Sequence, residues 1–169
     1  RVVDPHRGAA AEVIAHTQRQ RPQVAVDDLT VDQALVGLVV EAAAAHADPT
    51  RAEALLWSAR LSAPECLAVY FTQYKFYFYR RRLEEAERCA RDGLRMAAGQ
   101  AHISRHWRLV QGGDADFGAL GPARFWLFTL KALAFIRLRR GDRAEAQALL
   151  DKAAQLDPAD NLGAGVIAS

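Results

Sequence analysis

A helix–turn–helix unit near the C-terminal end of the chain is the sequence feature that most restricts its fold. Residues 127–160 have the pattern of a helix, a Gly-Asp turn, a second helix and a final Leu-Asp-Pro. Gly141 suits the turn that ends the first helix, and Asp142 is placed to cap the second. Pro158 then stops the second helix. The segment therefore predicts two helices packed against each other.

The spacing between a small residue and a helix-ending proline recurs earlier in the chain. Ala146 and Pro158 are twelve residues apart, and so are Ala52 and Pro64. Ala86 follows Ala52 by 34 residues and takes the equivalent place in a further unit. Small residues at these positions let two helices cross closely, while larger ones fill the space around the crossing.

Three units follow from this alignment. Two are contiguous, 33–66 and 67–100, and the third, 127–160, comes after an insertion of 26 residues, 101–126. One helix pair cannot bury its apolar face alone, so several must stack. Alanine, leucine and arginine dominate the composition, which also favours helix. We predict an all-α fold.

The units resemble the tetratricopeptide repeat family, in which large apolar residues fill the first helix, small residues lie at the crossing and proline ends the unit. The resemblance covers Val31 to Asp160 and implies a superhelix of antiparallel helix pairs, a right-handed solenoid. The matching residues are Val36, Val39, Ala52, Leu56, Ala59 and Pro64 in the first unit, Tyr70, Tyr77, Ala86 and Gly93 in the second, and Leu130, Leu133, Ala134, Gly141, Ala146, Leu150, Ala153 and Pro158 in the third.

Three residues depart from the family pattern. Tyr74 stands where the family prefers glycine or alanine, Gln73 occupies a usually apolar position, and Arg137 replaces an aromatic residue. The apolar face of the first helix in the second unit is compatible with a rotated alignment as well. Phe71 and Phe78 are therefore interpreted equally well as core residues or as groove residues.

The resemblance implies that the first helix of each unit lines a concave groove. Aromatic anchors beside cations suit a peptide with apolar and acidic side chains, and lysine and arginine are not expected in the core. The groove residues carried over by position are Phe71, Lys75, Phe78 and Tyr79 in the second unit, and Phe128, Lys131, Phe135 and Arg139 in the third.

The insertion has the composition of a loop, rich in glycine and aspartate. Trp107, Phe117 and Leu120 predict that part of it folds back onto the helices. His102 and His106 are weak candidates for a metal site, since a spacing of four can place two imidazoles on one helix face. Without a metalloprotease-like glutamate between them, we expect two exposed histidines instead.

The ends of the chain fall outside the repeats. Residues 1–30 are expected to form an N-terminal arm or an extra helix, and 161–169 a tail. Repeat stacks usually finish with a polar-faced cap, and Gly163 and Gly165 in this tail oppose helix. Self-association through the uncapped end, or further sequence beyond it, is our hypothesis.

The sequence offers no motif for catalysis or for a cofactor. No serine has a GxSxG setting, and Gly112-Gly113 lacks the lysine of a phosphate loop. The longest apolar run, Phe125 to Ile136, is too short to span a membrane and contains Lys131. Cys66 and Cys89 have no CxxC spacing, as expected for reduced thiols in a cytoplasmic protein. A formal charge of +2 does not favour nucleic acid as a partner.

We therefore expect a non-enzymatic protein-interaction module, a scaffold or adaptor. Heat-shock co-chaperones of the family grip a terminal carboxylate with lysines and asparagines, and this clamp is absent, because the positions hold Gly37, Glu41, Thr72, Phe128 and Ala132. Two alternatives stay open. One is a bacterial secretion-chaperone-like protein, and the other is the helical regulatory part of a larger enzyme or nucleic-acid-binding protein.

Overall fold

The structure, a computed structural model, describes residues 48–159 of the chain. This part contains helices and no strand, which confirms the all-α prediction for it. The predicted N-terminal arm, most of the first unit and the C-terminal tail lie outside the described residues. The helices are α1 (Pro49–Ser62), α2 (Leu67–Tyr79), α3 (Leu83–Ala101), α4 (Pro122–Arg139) and α5 (Arg143–Leu156), with a short 3-10 helix at Trp107–Leu109.

The described residues divide at Pro64, so that α1 lies in one compact body and α2 to α5 lie in another, which begins at Glu65. Asp48 caps α1, because its Oδ1 accepts a hydrogen bond of 3.1 Å from the backbone N–H of Arg51. The buried residues of α1 follow helical spacing along one face; they are Ala52, Leu56 and Ala59.

Helices α2 and α3 form one helix pair, and a glycine lets them cross closely. A Cβ atom at Gly93 of α3 would lie only 3.0 Å from Cβ of Tyr70 on α2. Around this point α3 presents further small side chains, and Ala86, Ala90 and Ala97 have no exposed surface. The predicted role of small residues at the crossing is therefore confirmed for this pair.

Helices α4 and α5 form the second pair, joined by a tight turn. Gly141 has a φ of 88°, a left-handed conformation that glycine adopts without strain. Asp142 Oδ1 then accepts a hydrogen bond of 3.0 Å from the backbone N–H of Glu145, which caps α5. Helix α5 ends at Leu156, just before Pro158. These features confirm the predicted turn, cap and helix end.

The insertion follows α3 and packs partly against α5 and α4. Val110 is fully buried, and its carbonyl oxygen accepts a hydrogen bond of 2.9 Å from Lys152 Nζ. The ring of Phe117 is buried, with its centroid 5.8 Å from that of Trp126. The prediction that the insertion folds back is confirmed for Phe117, whereas Leu120 is 52% exposed.

The last described helix does not expose large apolar side chains. On α5, Leu149 and Leu156 are buried, and none of the exposed large hydrophobic residues belongs to this helix. The predicted uncapped end continues into residues 160–169, which lie outside the described part of the chain. Within α5, the bare apolar surface that motivated the self-association hypothesis is not seen.

Candidate functional site

Two pairs of aromatic rings join α2 and α4. The ring centroids of Phe71 and Phe128 are 5.7 Å apart, and those of Phe78 and Phe135 are 5.3 Å apart. Both pairs occur in the same order along the two helices, so α2 and α4 run parallel and side by side. We call the surface formed by these four rings, together with Lys75 and Tyr79, the aromatic face.

Lys75 lies between the two ring pairs on α2. Its ammonium nitrogen is 4.9 Å from the ring centroid of Phe71 and 5.8 Å from that of Tyr79. Both contacts are within the range of cation–π attraction. No carboxylate of residues 48–159 lies within ion-pair distance of it, and burial lowers the pKa of Lys75. The aromatic face therefore holds a partly desolvated cation that no acidic side chain of the described part of the chain neutralises.

The rings of the aromatic face differ in exposure, and this separates core from surface. Phe71 is only 9% exposed and is a core residue that supports Lys75. Phe78, Phe128 and Phe135 are half-buried, and Tyr79 is 55% exposed. Of the two interpretations open for Phe71 and Phe78, the structure places Phe71 in the core and leaves Phe78 partly accessible.

Lys131 is not a surface cation, which corrects the expectation that it lines a groove as an exposed side chain. It is 3% exposed, and its Nζ lies 3.0 Å from Oδ2 of Asp157. Asp157 caps the C-terminal end of α5, which brings a carboxylate within reach of the middle of α4. A charge of this kind is stable in the core only when it is paired.

Arg139 lies at the C-terminal end of α4, one turn beyond Phe135, and is exposed. No acidic side chain of the described residues lies within ion-pair distance of it. Of the three cations predicted to line the groove, Lys75 and Arg139 are thus available to a ligand, and Lys131 is not. The structure brings six of the eight predicted groove residues together in the aromatic face.

Tyr74, which departs from the family pattern, also joins α2 to α4. Its side chain is buried, and its hydroxyl lies 3.5 Å from Oγ1 of Thr129. Burial raises the pKa of the Tyr74 phenol well above its ordinary value, although the hydrogen bond with Thr129 opposes this effect. The large side chain is accommodated because it packs between the two parallel helices, its ring edge-on to that of Phe71.

A network of charged side chains, which no sequence pattern indicated, connects α3, α4 and α5. Arg137 Nη1 donates to both carboxylate oxygens of Glu87, at 3.1 and 3.0 Å, and Arg137 Nε lies 2.7 Å from Glu145 Oε2. Arg91 Nη2 donates to Glu87 and to Glu145, each at 2.8 Å. Arg140 also pairs with Glu87. The arginine that replaces a family aromatic is therefore an ion-pair hub.

The arginines fix the protonation of this network. Burial alone would raise the pKa of the Glu87 carboxyl, but the hydrogen bonds from Arg91 and Arg140 and the charges of Arg91 and Arg137 hold it below its ordinary value. The backbone N–H of Glu145 and the guanidinium of Arg137 likewise hold the pKa of Asp142 low. Each charged group of the network pairs with another group of the same chain, so we interpret the network as structural.

The two histidines proposed as weak metal candidates do not share a helix face. Helix α3 ends at Ala101, and His102 has a left-handed backbone with φ of 55°. His102 and His106 are both exposed. The nearby carboxylates of Asp114 and Asp116 accept hydrogen bonds from backbone N–H groups of their own loop. The described residues contain no group of three side chains placed to hold a metal ion.

Comparison with known proteins adds one relative. An uncharacterized 19.8 kDa protein in the nifW 5' region of Azotobacter chroococcum mcd 1 is 31% identical over 135 residues, which cover 78% of this chain and 75% of that protein. The chain belongs to the same family as this protein. No family model and no solved structure matches the chain.

The described part of the chain contains no helix that could span a membrane. Between residues 48 and 159, none combines the length and the apolar character needed to cross a bilayer.

Proposed function

We propose that the chain is a non-enzymatic protein-interaction module that holds a segment of a partner protein on the aromatic face of α2 and α4. The observation that carries this proposal is Lys75, a partly buried cation that has no acidic partner among residues 48–159 and is placed between two aromatic pairs. Such a cation is stabilised by a carboxylate supplied from outside. The half-exposed rings beside it gain from losing contact with water.

The proposal includes a tetratricopeptide-like architecture for α2 to α5. Support comes from the close crossing of α2 and α3 at Gly93, from the Gly141-Asp142 turn, and from the parallel course of α2 and α4. In the family, the first helices of successive units run side by side and line the binding groove. The proposal assigns the aromatic face to this groove.

The composition of the face indicates where binding energy would concentrate. Interface energy is usually dominated by a few aromatic and arginine residues surrounded by near-neutral contacts. Phe78, Phe135 and Tyr79 are the accessible rings, and Arg139 is the exposed cation at the same end of the face. A partner segment with apolar side chains and acidic neighbours fits this set best.

The proposal places the protein in the cytoplasm, where the thiols of Cys66 and Cys89 stay reduced.

The relative from Azotobacter chroococcum is named for a position in the nifW 5' region. The product of the nifW gene of Azotobacter chroococcum is a first candidate partner to test beside unbiased capture.

Affinity capture with matched variants tests the proposal. We expect wild type to retain a specific partner, and Phe78→Ala/Phe135→Ala and Lys75→Glu to lose it, because they remove the accessible rings and reverse the central charge. Arg105→Glu is the control, since Arg105 is an exposed loop arginine outside the face. Circular dichroism should show unchanged helix content in all variants. Equal partner recovery by wild type and both face variants would contradict the proposal.

A further inference from the structure

The aromatic face presents its features in a regular line along α2. Lys75 follows Phe71 by four residues and precedes Phe78 by three, so the three side chains lie on one side of the helix. With a rise of 1.5 Å per residue, the two aromatic pairs are about 10 Å apart along the axis, and Lys75 lies about 6 Å from the first. A ligand must therefore present groups that suit, in this order, an aromatic pair, a cation and a second aromatic pair.

The charge of the face selects an acidic ligand. Lys75 and Arg139 have no acidic partners within the described residues, whereas the neighbouring Lys131 is neutralised by Asp157. The local field at the face is therefore positive, and a carboxylate placed between the ring pairs meets the partly desolvated ammonium of Lys75. A second basic group on the ligand at that point would be repelled.

The spacing also distinguishes between ligand conformations. An extended strand directs side chains to one face at intervals of about 7 Å. Two side chains on that face are therefore about 7 or 13 Å apart, and neither distance matches the spacing of about 10 Å between the two ring pairs. A polyproline helix repeats every three residues, about 9 Å, but its intervening side chains point away from the face. An α-helix places residues i, i+4 and i+7 on one side at about 0, 6 and 10 Å.

We infer that the aromatic face binds one side of an amphipathic α-helix that carries apolar residues at i and i+7 and an aspartate or glutamate at i+3 or i+4. This inference rests on the proposed function and specifies its ligand. The apolar side chains contact Phe128 of the first pair, whose Phe71 is a core residue, and the half-buried rings of Phe78 and Phe135 in the second. The carboxylate forms an ion pair with Lys75. The helix lies along the line between α2 and α4, in the manner of helix-in-groove recognition.

Selection from a random library of 16-residue peptides displayed on phage, against the full chain, tests the pattern. We expect the binders to converge on two apolar positions seven residues apart with an acid between them at i+3 or i+4. In a synthetic binder, changing the acid to its amide should weaken binding about tenfold in fluorescence anisotropy, as for a close interfacial charge pair. Moving the acid to the opposite side of the helix should have the same effect.

Variants of the chain assign the contact. Lys75→Met keeps the apolar stem and removes the charge, so it should bind the acidic peptide and its amide equally. Lys75→Glu should reverse the preference and favour a peptide with lysine at the same position. Arg105→Gln, in the exposed loop, should bind like wild type.

Two outcomes overturn the inference, and they are distinguishable. Binders that depend on Phe78 and Phe135 but lack any acidic preference, or that have extended proline-containing sequences, overturn the helical acidic ligand and leave the proposed function intact. A library that yields no binder sensitive to Phe78→Ala/Phe135→Ala overturns the proposed function together with this inference.

Discussion

Lys131 of α4 and Asp157 at the end of α5 form an ion pair of 3.0 Å, although the exposed fractions of their side chains are only 3% and 9%. Their charges are thus almost completely removed from water. Pairing offsets the cost of this burial only while both partners are present. The pair therefore links the middle of one helix to the end of the next.

Removing the lysine should destabilise the protein strongly. Lys131→Met leaves the Asp157 carboxylate without this partner, and the loss of one member of a buried pair costs about 3 kcal/mol in the free energy of unfolding. Urea denaturation followed by circular dichroism measures this change. The double variant Lys131→Met/Asp157→Asn should recover at least about 1 kcal/mol, because no carboxylate is left buried. Additive losses would argue against the pair.

Two glycines of α3 should respond oppositely to alanine. Gly93→Ala places a methyl group 3.0 Å from Cβ of Tyr70, which is attached rigidly to the backbone of α2. We expect a loss of about 1–3 kcal/mol from overpacking. Gly99→Ala meets nothing within 4 Å, and the higher helix propensity of alanine should stabilise by about 0.5 kcal/mol. Thermal unfolding of both variants checks the contrast, and equal effects would contradict the close crossing.

The Glu87 carboxylate should stabilise the protein in a pH-dependent manner. Its pKa in the folded protein lies below the ordinary value of 4.5, so its contribution is fully present above that value. The contribution is lost as the pH falls through the lower folded pKa. Glu87→Gln should cost about 3 kcal/mol at neutral pH, because Arg91, Arg137 and Arg140 lose their shared partner, and the difference from wild type should shrink below about pH 4.

A surface carboxylate on the same helix provides the control for this experiment. Glu84 pairs with Arg88, but both side chains are more than half exposed. Glu84→Gln should therefore change the free energy of unfolding by less than about 1 kcal/mol. Melting temperatures measured from pH 3 to pH 8 compare the three proteins, and a pH-independent effect of Glu87→Gln would contradict the ionised network.

The attachment of the insertion should depend on Phe117. Phe117→Ala removes the buried ring that packs against Trp126, so the loop should open more often. Trypsin should then cleave faster after Arg105 and Arg108, which are exposed in the same loop. Leu120→Ala is the matched control, because this side chain is 52% exposed. Unchanged cleavage of Phe117→Ala would show that the ring does not hold the loop.

The local features of the fold could be predicted from the sequence because each depends on a few neighbouring residues. Gly141 and Asp142 specify a turn and a cap through their own backbone and side chain. Gly93 was expected as a small residue at the crossing because the resemblance to the repeat family implies one at its position. The resemblance also assigned Phe71, Phe78, Phe128 and Phe135 to the first helices of two units, but the pairing of their rings across α2 and α4 is visible only in the structure.

The ion pairs could not be predicted, because their partners are distant in the sequence. Asp157 meets Lys131 only after α5 has folded back along α4, and Arg137 finds Glu87 on a helix that precedes it by 50 residues. A lysine or arginine in a helix is expected at the surface by composition. Lys131 is buried instead because Asp157 lies beside it in the folded chain. No local sequence pattern indicates that proximity.

The arrangement of α2 to α5 has a consequence for how the chain folds. Each of these helices packs mainly on the next one in the sequence, from α2 through α5. Most contacts therefore close short loops, and folding of such chains is fast and begins at any adjacent pair. The segment between α3 and α4 is the exception, because closing a longer loop costs more entropy. We expect docking of the α4–α5 hairpin onto α3 to be the slowest step.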